Sequence, residues 1–120
     1  MSESIVEKKN ETIEEKKEEQ EGKIKYRIRP TRYFSFDAEK KEWELEIHLP
    51  GVKKADIKFR VLPNLYDLKA RRDEALYSLT QYFPWDIDTN SVRASYENGL
   101  LIVNGKIRDP MADAVPIKLE

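Results

Sequence analysis

The chain has 120 residues, 39% of them apolar and 38% charged, with 22 Lys and Arg, 23 Asp and Glu and one His, for a net charge of −1. That length supports one domain with a modest core. No apolar run approaches the roughly 20 residues of a membrane span and the start of the chain lacks the apolar stretch of a signal peptide, so a cytoplasmic protein with no membrane partner is expected; the absence of cysteine excludes disulfides and any thiol nucleophile.

The charge is unevenly divided. Residues 1–22 hold eight Glu and four Lys, a net −4, and the remainder holds 15 acidic and 18 basic groups, a net +3. Ile5, Val6 and Ile13 are the only sizeable aliphatics of the first segment. They cannot offset the entropy of ordering it, so a disordered, charged N-terminal tail is expected there, with transient helix over 13–21.

From Lys23 the apolar pattern changes to a period of two. Ile24, Tyr26 and Ile28 alternate with Lys25, Arg27 and Arg29 before Pro30, and Tyr33, Phe34 and Phe36 mark a second strand. The clearest strand is Trp43-Glu44-Leu45-Glu46-Ile47-His48-Leu49, with one buried and one wet face. Pro50-Gly51 ends it. Ile57 to Val61 repeats the alternation with basic residues outward, Pro63-Asn64 marks a turn, Tyr66 to Ala70 follows, then a break at Arg72-Asp73-Glu74, then Leu76 to Phe83. Val92 to Tyr96 and Leu100 to Val103 are the last strands, joined through Asn98-Gly99, the strongest short-range hairpin signal because both residues tolerate positive φ. Turns about every eight to twelve residues without an amphipathic helix predict an all-β, antiparallel β-sandwich of immunoglobulin type.

Chemistry-bearing clusters are scarce. His48 is the only histidine and lies mid-strand without a second titratable partner at workable spacing. The four glycines, Gly22, Gly51, Gly99 and Gly105, form no phosphate-cradling loop. Asp86 and Asp88, after Pro84, read as turn-shaping residues. Arg27, Arg29 and Arg32 interleave with Tyr26, Tyr33 and Phe34, yet an excess of +3 and a pI of about 6.0 fall short of a nucleic-acid footprint. No catalytic residue, cofactor or metal is expected, and the chain reads as a non-enzyme that binds through apolar surface and strand edges.

Leu49-Pro50-Gly51-Val52, then Ala55-Asp56-Ile57, then Phe83-Pro84, then the hairpin Ala94, Asn98, Gly99, Leu100 and Leu101 resemble, in order and spacing, the α-crystallin domain of small heat-shock proteins. The resemblance covers roughly 33–120 and implies a tail at 1–22, a sandwich over 23–109 and a C-terminal extension at 110–120. It implies that Val115, Ile117 and Leu119 form a docking motif of Ile-x-Leu type. The groove for it would be walled by Ile57, Phe59 and Val61 on one strand and Val92, Ala94 and Tyr96 on another. Whether the segment docks within one chain or between chains stays open, since edge pairing has the same pattern in both cases. The implied function is that of an ATP-independent holdase that binds unfolding client proteins and associates with itself, as a dimer at least. The sequence departs from the family in its polar first segment, in the short connection from Arg71 to Ala75 where microbial members insert a long dimerisation loop, in Leu79 where an Arg is expected, and in Asn104-Gly105-Lys106. Those departures sustain an alternative: a co-chaperone or adaptor of the same sandwich that recognises one folded partner.

Overall fold

A computed structural model describes residues 23–120; the tail and transient helix expected over 1–22 lie outside the described residues. Eight strands form two four-stranded sheets: β1 (Tyr26–Ile28), β2 (Arg32–Asp37), β3 (Glu42–His48), β4 (Ile57–Val61), β5 (Leu65–Arg72), β6 (Ala75–Tyr82), β7 (Arg93–Glu97) and β8 (Leu100–Lys106). The strand orders are β1-β6-β5-β4 and β2-β3-β8-β7. Two 3-10 turns, at Lys54–Asp56 and Thr89–Ser91, are the only helical segments among the described residues, none of which offers a helix long and apolar enough to cross a membrane.

The alternation of β3 is what places the core. Trp43, Leu45, Ile47 and Leu49 are buried while Glu44 and His48 on the opposite face stay wet. Ile47 stands opposite Leu101, and Leu45 opposite Val103, so β3 and β8 lay their apolar rows on the same side. From the facing sheet, Tyr66, Leu68, Ala70, Tyr77 and Leu79 meet them. Phe83 closes the end of this core, with ring centroids 5.0 Å from Trp43 and 5.3 Å from Tyr66.

The sandwich matches the sequence reading with two corrections. First, one pairing is parallel: β1 runs along β6 with Tyr26 beside Ala75 and Ile28 beside Tyr77. The backbone amides of Lys25 and Tyr26 both donate to the Glu74 carbonyl, which brings the chain in at the β5–β6 turn and aims it the same way as β6. Hairpin-connected strands are antiparallel because the chain reverses between them; β1 reaches β6 from far away in sequence and is free of that constraint. Second, Arg72 belongs to a strand. β5 continues to Arg72 and β6 starts at Ala75, so the break contracts to Asp73-Glu74, with Asp73 at φ +50°. The charged run hid two paired positions.

Candidate docking groove

Two of the segments that carried the family resemblance, Leu49-Pro50-Gly51-Val52 and the Asn98-Gly99 hairpin, meet at one end of the sandwich, whereas Phe83 packs on Trp43 at the other end of β3. Asn98 and Gly99 adopt φ of +51° and +80°, the paired positive angles of a type I′ turn. The turn lies against Leu49-Pro50: the Leu49 amide donates to the Gly99 carbonyl at 2.7 Å, and a Cβ on Gly99 would stand 3.1 Å from the Pro50 Cα. The Tyr96 hydroxyl lies 3.0 Å from the Leu49 carbonyl and 2.6 Å from that of Val52. Arg72 donates to the Pro50 carbonyl at 2.7 Å and lies over the Tyr77 ring. The Leu-Pro-Gly-Val turn and the Asn-Gly hairpin are therefore one structural unit, and Arg72 is a member that the sequence reading missed within its charged run.

This unit ties β7 to the loop that leads into β4. The two strands are edges of different sheets and do not pair with each other. Ile57, Phe59 and Val61 are opposite Ala70, Leu68 and Tyr66, and so occupy inward register positions, yet all three are only half-buried. On the other wall Ala94 stands opposite the fully buried Val103 while itself exposed, and Val92 and Tyr96 are half-buried. Apolar side chains along both edge strands therefore remain partly accessible. The six residues named from the sequence lie on or next to these two edge strands, and five of them pack against the main core. Val92 lies just before β7, at the end of the 3-10 turn.

The C-terminal motif is elsewhere. After β8 an isolated bridge joins Ile107 to Ile87, and the Arg108 amide donates to the Asp86 carbonyl. A turn over 110–113 follows and no regular structure after it. Val115, Ile117 and Leu119 are 74%, 79% and 90% exposed, so the extension is not packed on its own domain.

The remaining polar candidates take structural places. Asp88 caps the 3-10 turn by accepting from the Asn90 amide. His48 lies on the wet face of β3 with its ring edge-on to Tyr33. Gly105, one of the departures from the family pattern, stands opposite Trp43, where a Cβ would come within 3.0 Å of the indole. A second exposed apolar feature was not read from the sequence: Trp85, 39% exposed, against Phe36 at a centroid distance of 4.1 Å.

No family model matches the sequence, and no curated protein matches it. Among solved structures the chain is similar to heat shock protein 16.0 from Schizosaccharomyces pombe, with 21% identity and a TM-score of 0.62 over 81% of this chain and 79% of that one. It is similar to HSP18.5 from E. histolytica, with 15% identity and a TM-score of 0.60 over 77% and 99% of the two chains. A small heat-shock protein from Xylella fastidiosa, whose high order structure is described as distinct, gives 16% identity and a TM-score of 0.59 over 78% and 95%. At these identities the likeness is one of fold, and the fold is the α-crystallin β-sandwich of small heat-shock proteins.

Proposed function

We propose that this chain is a divergent small heat-shock protein that acts as an ATP-independent holdase and assembles through its C-terminal extension. The carrying observation is a terminal apolar motif that its own domain leaves exposed, and the half-buried apolar residues of the edge strands β4 and β7 are the proposed groove for it. Ile117 and Leu119 are two residues apart, so in an extended segment both side chains point to one face and enter one groove. The groove of a second copy supplies half-buried apolar walls and two unpaired strand edges for β-augmentation.

Burying two such side chains contributes about 1.5–3 kcal/mol each, less the cost of ordering the segment. One link is therefore weak, and an assembly with several links per particle is held by avidity while single contacts open and close. Holding needs no bond chemistry: whatever binds the unfolded chain lowers the free concentration that aggregates, by mass action. That agrees with a non-enzyme, with unfolding proteins and further copies of this chain as its partners and a cytoplasmic site of action.

The adaptor reading keeps one specific support. A two-residue turn joins β5 to β6, leaving no extra strand there to exchange between copies, and β1 already lies along the outer edge of β6. Aggregation of a heat-labile substrate, followed by light scattering without ATP, tests both readings. Suppression at near-stoichiometric amounts is expected. No suppression by protein that is folded by circular dichroism overturns the holdase in favour of a single-partner adaptor.

A further inference from the structure

The two outer faces of the sandwich carry opposite charge. On the sheet β1-β6-β5-β4 the outward register positions hold Arg27, Lys58, Arg60, Lys69 and Arg71, with Asp67 as the carboxylate among them. Lys58 stands directly opposite Lys69, a like-charge cross-strand pair. On the other sheet the outward positions of β3 are Glu42, Glu44, Glu46 and His48, joined by Asp37 of β2 and Glu97 of β7, with Arg93 and Lys106 as the cations.

We infer that the basic face of the β1-β6-β5-β4 sheet is the docking surface for residues 1–22 of the same chain. That segment carries eight Glu against four Lys. It joins the fold at Lys23, three residues before β1, which forms one edge of the basic sheet. Four strands spaced about 4.8 Å apart make a face narrower than 20 Å, and 22 residues extend to about 70 Å, so reach is ample. Covalent attachment beside the sheet sets an effective concentration in the millimolar range. The rival occupant, the acidic face of a second copy, lacks that advantage, and stacking unlike faces is a heterologous contact that does not close on itself. Because the contact is between surface charges, salt screens it: at 1 M the Debye length shrinks to about 3 Å.

Carboxyl-to-amine coupling by a carbodiimide on the full-length chain tests the inference. Unlabelled and 15N-labelled protein, unfolded and refolded together, are coupled at low and at 1 M salt, and the linked peptides are read by mass spectrometry. The expected result is links from Glu within 3–21 to Lys58 and Lys69, found only in all-light or all-heavy pairs and reduced several-fold at 1 M salt. Mixed light-heavy pairs from those glutamates, links instead from Glu42, Glu44 or Glu46 to Lys58 and Lys69, or no link to either lysine overturns it. This inference does not depend on the chaperone reading, and the coupling experiment fails or succeeds independently of any aggregation assay.

Discussion

Two tyrosine hydroxyls show how burial has opposite consequences according to its partners. The Tyr96 hydroxyl has one proton to donate and ties β7 to the Leu49–Val52 turn through the Val52 carbonyl at 2.6 Å, with the Leu49 carbonyl 3.0 Å away as the competing acceptor, so Tyr96→Phe is expected to cost about 0.5–1.5 kcal/mol, measured by urea unfolding. The Tyr66 hydroxyl is buried with no well-aligned hydrogen-bond partner among the described residues, and burial raises its pKa above the ordinary value against the charges of Arg32 and Arg29 and the approach of the Arg32 guanidinium. Tyr66→Phe is therefore expected to be neutral or stabilising by about 1 kcal/mol, and a loss of stability in the same assay contradicts this. Gly99→Ala forces a left-handed φ on a residue with a Cβ and presses it on Pro50, an expected cost of about 1–3 kcal/mol. Asp67 accepts from Arg60 at 2.9 Å and from Thr80 at 2.6 Å, and these bonds hold its carboxyl below the usual range. The unfolded chain then binds this proton first on acidification, so the contribution is present above the unfolded pKa and is lost as pH falls through the folded one. Asp67→Asn should flatten that part of the acid limb of the stability profile; an unchanged limb rules the linkage out.

At the scale of elements, β3 was fully legible because its period of two is unbroken and its Trp, Leu and Ile all face the core. Leu101 and Ile47 are opposite one another and 4% and 0% exposed, so Leu101→Asp or Ile47→Asp buries an unpaired charge and is expected to abolish the cooperative near-UV transition. The ends of β5 and β6 were not legible, since Arg71, Arg72, Asp73 and Glu74 form one charged run and pairing alone decides which of them are strand. The C-terminal segment is the contrasting case. Ile117→Ala with Leu119→Ala removes apolar surface that is almost wholly exposed, so the melting temperature should stay unchanged. Self-association should fall, and a particle mass equal to that of the unaltered protein in light-scattering chromatography removes the bridging idea.

For the whole molecule, the division of charge along the sequence becomes a division in space that no composition figure contains. Arg27, Lys58 and Lys69 come from three strands, and only sheet order and register place them on one face, as they place Glu42, Glu44 and Glu46 on the other. Deleting residues 1–22 is expected to leave the melting temperature almost unchanged, because exposed ion pairs each contribute little; a large drop means the segment is part of the fold. What the sequence determined by itself is local or periodic: the strand alternation and the Asn-Gly turn follow from side-chain period and allowed φ, which neighbouring residues dictate, whereas the exposure of the terminal motif was settled only by the structure. The six positions proposed for the groove came from family spacing, and how far each is exposed depends on the two edge strands β4 and β7 not pairing. Tertiary structure alone decided the parallel pairing of β1, the union of the Leu-Pro-Gly-Val turn with the hairpin, and the opposed faces. Each joins residues distant in the chain, and the free energy that selects such a pairing is burial against a partner that no local pattern names.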